Sequence, residues 1–128
     1  MKVTKEFTFH AAHQDIEAPA NHQCGRLHGH TYRLELTVCG LVPPDGSMLI
    51  HGDILKQVYH EKIEPYVEHE FLNRTLGFNP TMENIARWCL QQLETAIKND
   101  KQQSVKVKWG YKCSVRLWET PTMYADCP

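Results

Sequence analysis

The sequence has no apolar stretch approaching the ~20 residues that a membrane-spanning helix requires. Its opening, Met1-Lys2-Val3-Thr4-Lys5-Glu6, carries no apolar segment of the secretory kind. Charge of one sign is also scarce. Fourteen Lys and Arg stand against fifteen Asp and Glu, a formal net charge of -1, with no long run of either. No nucleic-acid partner and no membrane partner is therefore expected. A small phosphorylated ligand stays open, since it needs only a few local cations. The five cysteines, Cys24, Cys39, Cys89, Cys113 and Cys127, are an odd number at irregular spacing. That argues against a disulfide framework and for free thiols in a reducing cytoplasm. Internal repeats and low-complexity segments are absent as well.

What is present is an ordinary globular composition, 41% hydrophobic and 23% charged over 128 residues. One soluble domain spanning residues 1–128 is expected. Eight histidines are many for this length and direct attention to metal chemistry.

Periodicity predicts the elements. Val3, Phe7 and Phe9 alternate with polar neighbours, so a half-buried strand is expected whose inward parity continues through Ala11 to His13, with room for a bulge. Residues 14 to 27, with Pro19, Asn21 and Gly25, read as a loop. Tyr32, Leu34, Leu36 and Val38 alternate in a second strand, and the same parity reaches back to His30 and His28. Pro43-Pro44-Asp45-Gly46 reads as a turn and Met48 to Ile50 as a brief strand. Asp53 is expected to cap a helix running to about Glu64, limited by Pro65. A polar connector holding Glu68, His69 and Asn73 leads to a second helix, capped by Asn79 or Thr81 and ending near Asn99. Its expected stripe is Ile85, Trp88, Cys89, Leu93, Ala96 and Ile97. Val105, Val107 and Trp109 alternate before Gly110 interrupts, leaving residues 104–119 as either one bent strand or a hairpin. Cys113, Val115, Leu117 and Glu119 share an inward parity, and a last short strand covers Met123 to Cys127. The order is β-β-α-α-β-β.

The chemistry concentrates in Cys24-Gly25-Arg26-Leu27-His28-Gly29-His30. With His13 inward on the neighbouring strand, His13, His28 and His30 are candidate ligands of a catalytic zinc that keeps an open position. The bland alternative is three polar residues near a sheet edge. Cys24 is a fourth ligand, a thiolate base or nucleophile beside the metal, or an inert loop cysteine. His69 beside Glu68 either tunes that thiol or belongs to a solvated cluster, and adjacent residues rarely bond to each other. Glu119, on the apolar parity, can accept parallel hydrogen bonds from a planar donor pair such as a 2-aminopyrimidinone ring, or pair with Arg33 or Arg116.

Five motifs in one order carry a resemblance. They are Phe9-His10-Ala11-Ala12-His13, Cys24 to His30 with Thr31-Tyr32, Glu68-His69-Glu70-Phe71-Leu72-Asn73, Asn79-Pro80-Thr81-Met82-Glu83-Asn84 and Trp118-Glu119-Thr120-Pro121-Thr122. Together they resemble the 6-pyruvoyltetrahydropterin synthase and 6-carboxytetrahydropterin synthase family over nearly the whole chain. The resemblance implies an α+β tunnelling fold (T-fold), a four-stranded antiparallel sheet with two helices on one face. It implies trimers stacked into a homohexamer, with active sites at subunit interfaces.

It also implies that His13, His28 and His30 bind Zn2+, that Cys24 accepts the proton, and that His69 and Glu119 complete the relay, Glu119 also anchoring a pterin. The implied substrate is 7,8-dihydroneopterin triphosphate, with Arg26 a candidate for its phosphates. The spacing Cys24-x-x-x-His28 and the run Glu119-Thr120-Pro121-Thr122 resemble the branch that forms 6-carboxy-5,6,7,8-tetrahydropterin for queuosine, releasing triphosphate and acetaldehyde. The alternatives are the pyruvoyl branch and a non-catalytic zinc-containing module that binds a pterin or purine. Three features depart from the family pattern: His51-Gly52, Glu68 where Asp is usual, and an added segment over 104–112.

Overall fold

The computed structural model describes residues 1–100 and 110–128. Its framework is the pairing of β1 (Lys2–His13) with β2 (His28–Gly40), antiparallel from Lys2 opposite Cys39 to His13 opposite His28. The ladder is unbroken, so β1 carries no bulge next to His13. Strand β4 (Tyr111–Thr120) lies along the other edge of β2, and β5 (Met123–Cys127) closes the antiparallel set. A two-residue strand, β3 (Glu70–Phe71), adds to the outer edge of β1, parallel to Ala11 and Ala12. The order among the described residues is β3-β1-β2-β4-β5. The expected four-stranded antiparallel sheet thus gains a short parallel edge.

Alternation decides which face is covered. Phe9, Tyr32, Leu34, Leu36, Val38, Val115 and Leu117 share one face and are buried with the helices against them. Each such Leu or Phe contributes about 1.5–3 kcal/mol by leaving water. Phe9 stacks on Tyr32 at 4.8 Å, and Phe7 on Tyr59 at 4.2 Å, which ties the sheet to the first helical segment.

That segment starts at α1 (Gly52–Val58), widens into a π-helical turn over Tyr59–Ile63, and continues as α2 (Glu64–Val67). Pro65 therefore does not end the helix. The wide turn restarts the ladder, so Pro65 sits in a first turn, where its missing N–H costs nothing. The cap is His51, without a side-chain bond, while Asp53 lies inside the first turn, where its charge complements the helix dipole. Met48 to Ile50 contains only a single bridge residue, Ile50.

A short α3 (Leu72–Thr75) precedes α4 (Met82–Lys98). Of the two candidates, Thr81 caps α4, its Oγ1 accepting from the Asn84 N–H at 3.3 Å. The buried face of α4 is Ile85, Ala86, Cys89, Leu90, Leu93 and Ile97. Trp88 is displaced to the margin, edge-on to Tyr66, because Ala86 and Leu90 hold the centre of the stripe. No helix among the described residues is long and apolar enough to cross a membrane. The alternation of Val105, Val107 and Trp109 lies outside the described residues. Gly110 has φ 69°, a left-handed conformation ahead of β4.

Gly40 is closely approached. A Cβ there would lie 2.8 Å from the Gly110 carbonyl oxygen and 2.9 Å from Leu49 Cδ1. Gly40→Ala should destabilise the fold by about 1–3 kcal/mol in urea unfolding through overpacking; an unchanged midpoint would contradict this packing.

Candidate metal centre and its cleft

The β1–β2 register places His13 opposite His28, and Ala11 opposite His30. The small Ala11 leaves space, and the three imidazoles gather with ring centroids 4.5 to 5.1 Å apart. One nitrogen from each lies within 4.8 Å of the others. His13, 5% exposed, directs Nδ1 at the Pro80 carbonyl at 2.7 Å, and His28 Nδ1 faces the Arg26 carbonyl at 2.6 Å. A carbonyl oxygen only accepts, so both Nδ1 atoms carry the proton and both Nε2 atoms present a lone pair. Those Nε2 atoms face each other at 3.0 Å. His30 Nε2 is buried without a hydrogen-bond partner.

Glu119 Oε1 completes the group at 3.4 Å from His13 Nε2 and 3.7 Å from His30 Nε2. Burial lowers the pKa of His30, its two histidine neighbours lower it further, and Glu119 opposes them. Three converging imidazole nitrogens fit a divalent cation, the backbone carbonyls on His13 and His28 acting as the outer shell that orients the rings.

The loop over this cluster is pinned by asparagines. Asn73 Oδ1 accepts the Gln14 N–H at 2.9 Å, while its Nδ2 donates to the Gln14 carbonyl at 2.8 Å. Asn79 Oδ1 accepts the Ile16 N–H at 3.1 Å, and Nδ2 donates to Asp15 Oδ1 at 2.8 Å. The Asn79 bond, then the Glu17 N–H, holds the Asp15 carboxyl below its ordinary pKa. The Asp15 N–H donates to the Cys24 carbonyl at 2.8 Å. Cys24 sits in a 3-10 turn, Gln23–Gly25, whose cap His22 accepts the Cys24 N–H at 3.1 Å. Half-buried Cys24 thereby borders a cleft of about 600 Å³ with His13, His28, His30 and Glu119.

Four of the five expected partners of Cys24 are thus brought together. Glu119 pairs with neither arginine: Arg33 lies over the Trp118 ring at 4.3 Å, and Arg116 forks onto Asp126 at 2.6 and 2.8 Å. Exposed Arg26 offers the site its carbonyl. His69 is elsewhere. It lies beside His10, its N–H donating to the His10 carbonyl, and lines a separate, open cleft of about 680 Å³, with His30 at the border of both. Its φ of 56° folds the ring back, so Nε2 lies 3.1 Å from Glu68 Oε1. The neighbours in sequence do meet, through a backbone conformation that sequence alone does not announce.

Sequence reasoning missed the anchoring roles of Asn73 and Asn79 and the two carbonyls that orient the imidazoles. Asparagine in a polar connector signals only a turn; its partners lie 59 to 64 residues away.

The family model described as 6-pyruvoyl tetrahydropterin synthase matches residues 2–128. A 6-carboxy-5,6,7,8-tetrahydropterin synthase from Haemophilus influenzae is 30% identical, across 98% of this chain and 96% of the relative. One of the same name from Synechocystis is 34% identical across 73% of this chain and 75% of its own length. The 6-pyruvoyl tetrahydropterin synthase structure from Caenorhabditis elegans superimposes with a TM-score of 0.76 over 98% of this chain and 93% of that chain, at 20% identity. The shared fold is the T-fold.

Asn73→Ala should cost about 1–3 kcal/mol, because it strands the Gln14 N–H and carbonyl. Hydrogen exchange at Gln14 and Ile16 should accelerate, and unchanged protection would refute the anchoring role.

Proposed function

The chain belongs to the 6-pyruvoyl tetrahydropterin synthase family, and on that premise we propose that it is a zinc-dependent 6-carboxy-5,6,7,8-tetrahydropterin synthase. Its substrates are 7,8-dihydroneopterin triphosphate and one water, and its products are 6-carboxytetrahydropterin, acetaldehyde and triphosphate, on the route to queuosine in the cytoplasm. One observation carries the reading: three imidazole nitrogens converge beside a thiol in one cleft. The names of the relatives and the Cys24-x-x-x-His28 spacing support the carboxy-forming branch over the pyruvoyl one.

His13, His28 and His30 would hold the ion. The chemistry it supplies when bound is Lewis-acid polarisation of the substrate's side-chain hydroxyls, which acidifies the neighbouring C–H bonds. Cys24, as thiolate, accepts the proton from that carbon, and triphosphate leaves by elimination. Glu119 anchors the ring by accepting two parallel N–H bonds from the 2-amino and ring N–H groups. Its low exposure, 13%, strengthens those bonds by excluding water.

His69 lies in a different cleft from Cys24 within one chain. The relay is therefore completed in an assembly, a hexamer of two trimers, where one copy's His69 with Glu68 tunes another copy's Cys24.

Purified protein loaded with zinc should release triphosphate from the substrate, with acetaldehyde and the carboxy product seen by mass spectrometry. A pyruvoyl product would move it to the other branch, and tight pterin binding without turnover would make it a binding module. Cys24→Ala should lower turnover by about 10²–10⁴-fold while retaining zinc. Loss of the tightly held ion with Cys24→Ala would make the thiol a ligand instead. His28→Ala should lose that ion in metal analysis. Light scattering at the 14.9 kDa monomer mass would contradict the hexamer. Mixing inactive Cys24→Ala and His69→Ala subunits should restore part of the activity, which relays confined within single chains would not allow.

A further inference from the structure

On the sheet face opposite the three-histidine cluster, a second set of donors converges. His10 Nδ1 lies 3.3 Å from Glu68 Oε1, and His69 Nε2 lies 3.1 Å from the same oxygen. One ligand atom from each of the three residues lies within 4.8 Å of the others. The rings meet edge to face at 5.9 Å. We propose that His10, Glu68 and His69 form a second binding site for a divalent cation of the zinc class, distinct from the site built on His13, His28 and His30.

The backbone prepares this convergence. The His69 N–H donates to the His10 carbonyl at 2.7 Å, and the His10 N–H donates to Glu68 Oε1 at 3.2 Å. β3 then pairs with Ala11 and Ala12, which locks the Glu68–His69 corner against β1. His69 accepts a φ of 56°, uncommon for a residue with a Cβ, and that conformation is what turns its ring towards Glu68. The side-chain contacts at 3.1 and 3.3 Å are longer than the 2.7–2.9 Å of a good charge-assisted bond. Two imidazoles and a carboxylate are donors that zinc, cobalt and nickel accept. In the single chain the His10 and His69 side chains are 57% and 78% exposed, so water or a ligand can fill the remaining coordination positions there. Arg74, at the rim of the cleft, is engaged by Glu70 at 3.5 Å.

A consequence rests on the proposed reaction: an ion here occupies the His69 nitrogen that the relay needs, so excess metal inhibits. The binding itself does not depend on that reading.

The test titrates the full chain with Zn2+ by calorimetry. Wild type should take two equivalents per chain of unequal affinity. His28→Ala should keep the weaker one, and His10→Ala or His10→Gln should bind it at least about tenfold more weakly while keeping the tighter one. A wild-type stoichiometry of one, or an unchanged weak phase in both His10 variants, overturns the site. At one equivalent of zinc, His10→Ala and wild type should release triphosphate equally; at excess zinc only wild type should slow. Equal slowing of both would sink the inhibitory role. Absence of turnover in every protein, with the two-phase titration intact, would count against the proposed reaction and leave the second site supported.

Discussion

The unbroken β1–β2 ladder is the constraint on which the rest depends. Its register sets His13 across from His28 and sends both inward, and the same period carries His30 to their side. A slip of one residue would turn all three towards solvent and expose Phe9, Tyr32 and Leu34 with them. The apolar core therefore enforces the geometry of the polar centre. Core residues and the three histidines share one parity along the same strands, so a register that buries the first also gathers the second.

That core holds together a centre that is unfavourable without a partner. Two lone pairs face each other at 3.0 Å and a third nitrogen is buried unpaired. Unsatisfied buried acceptors cost about 1–3 kcal/mol each. The ring orientations persist because Pro80 and Arg26 carbonyls accept the opposite N–H groups, and because Asn73 and Asn79 tie the covering loop to the segment before α4. Rigid support for a converging acceptor set is the expected architecture of a preorganised cation site.

The two faces of β1 divide the chemistry. Odd residues carry His13 to the buried cleft with Cys24, and even residues carry His10 to the open cleft with His69. The two-residue β3 is small, yet it attaches the Glu68–His69 corner to β1 and defines the second cleft. A single chain thus presents Cys24 and His69 on separate surfaces, so the proposed relay would need an assembly.

Much of this was legible in the chain itself. Period-two alternation determined the strands, their inward faces and the inward histidines, because side-chain direction in a strand is a local property. The 3.6-residue period determined α4 in the same way, with its cap left between Asn79 and Thr81, and motif order determined the family resemblance. Only the tertiary structure decided that Pro65 lies inside a helix, that Ala86 and Leu90 displace Trp88, and that Glu119 meets histidines instead of arginines. It also decided that Asn73 and Asn79 anchor the loop, and that His69 and Cys24 line different clefts. Each of these depends on contacts between distant residues or on a backbone turn, π-helical or left-handed, whose cost is met by packing elsewhere. Local pattern carries no information about either.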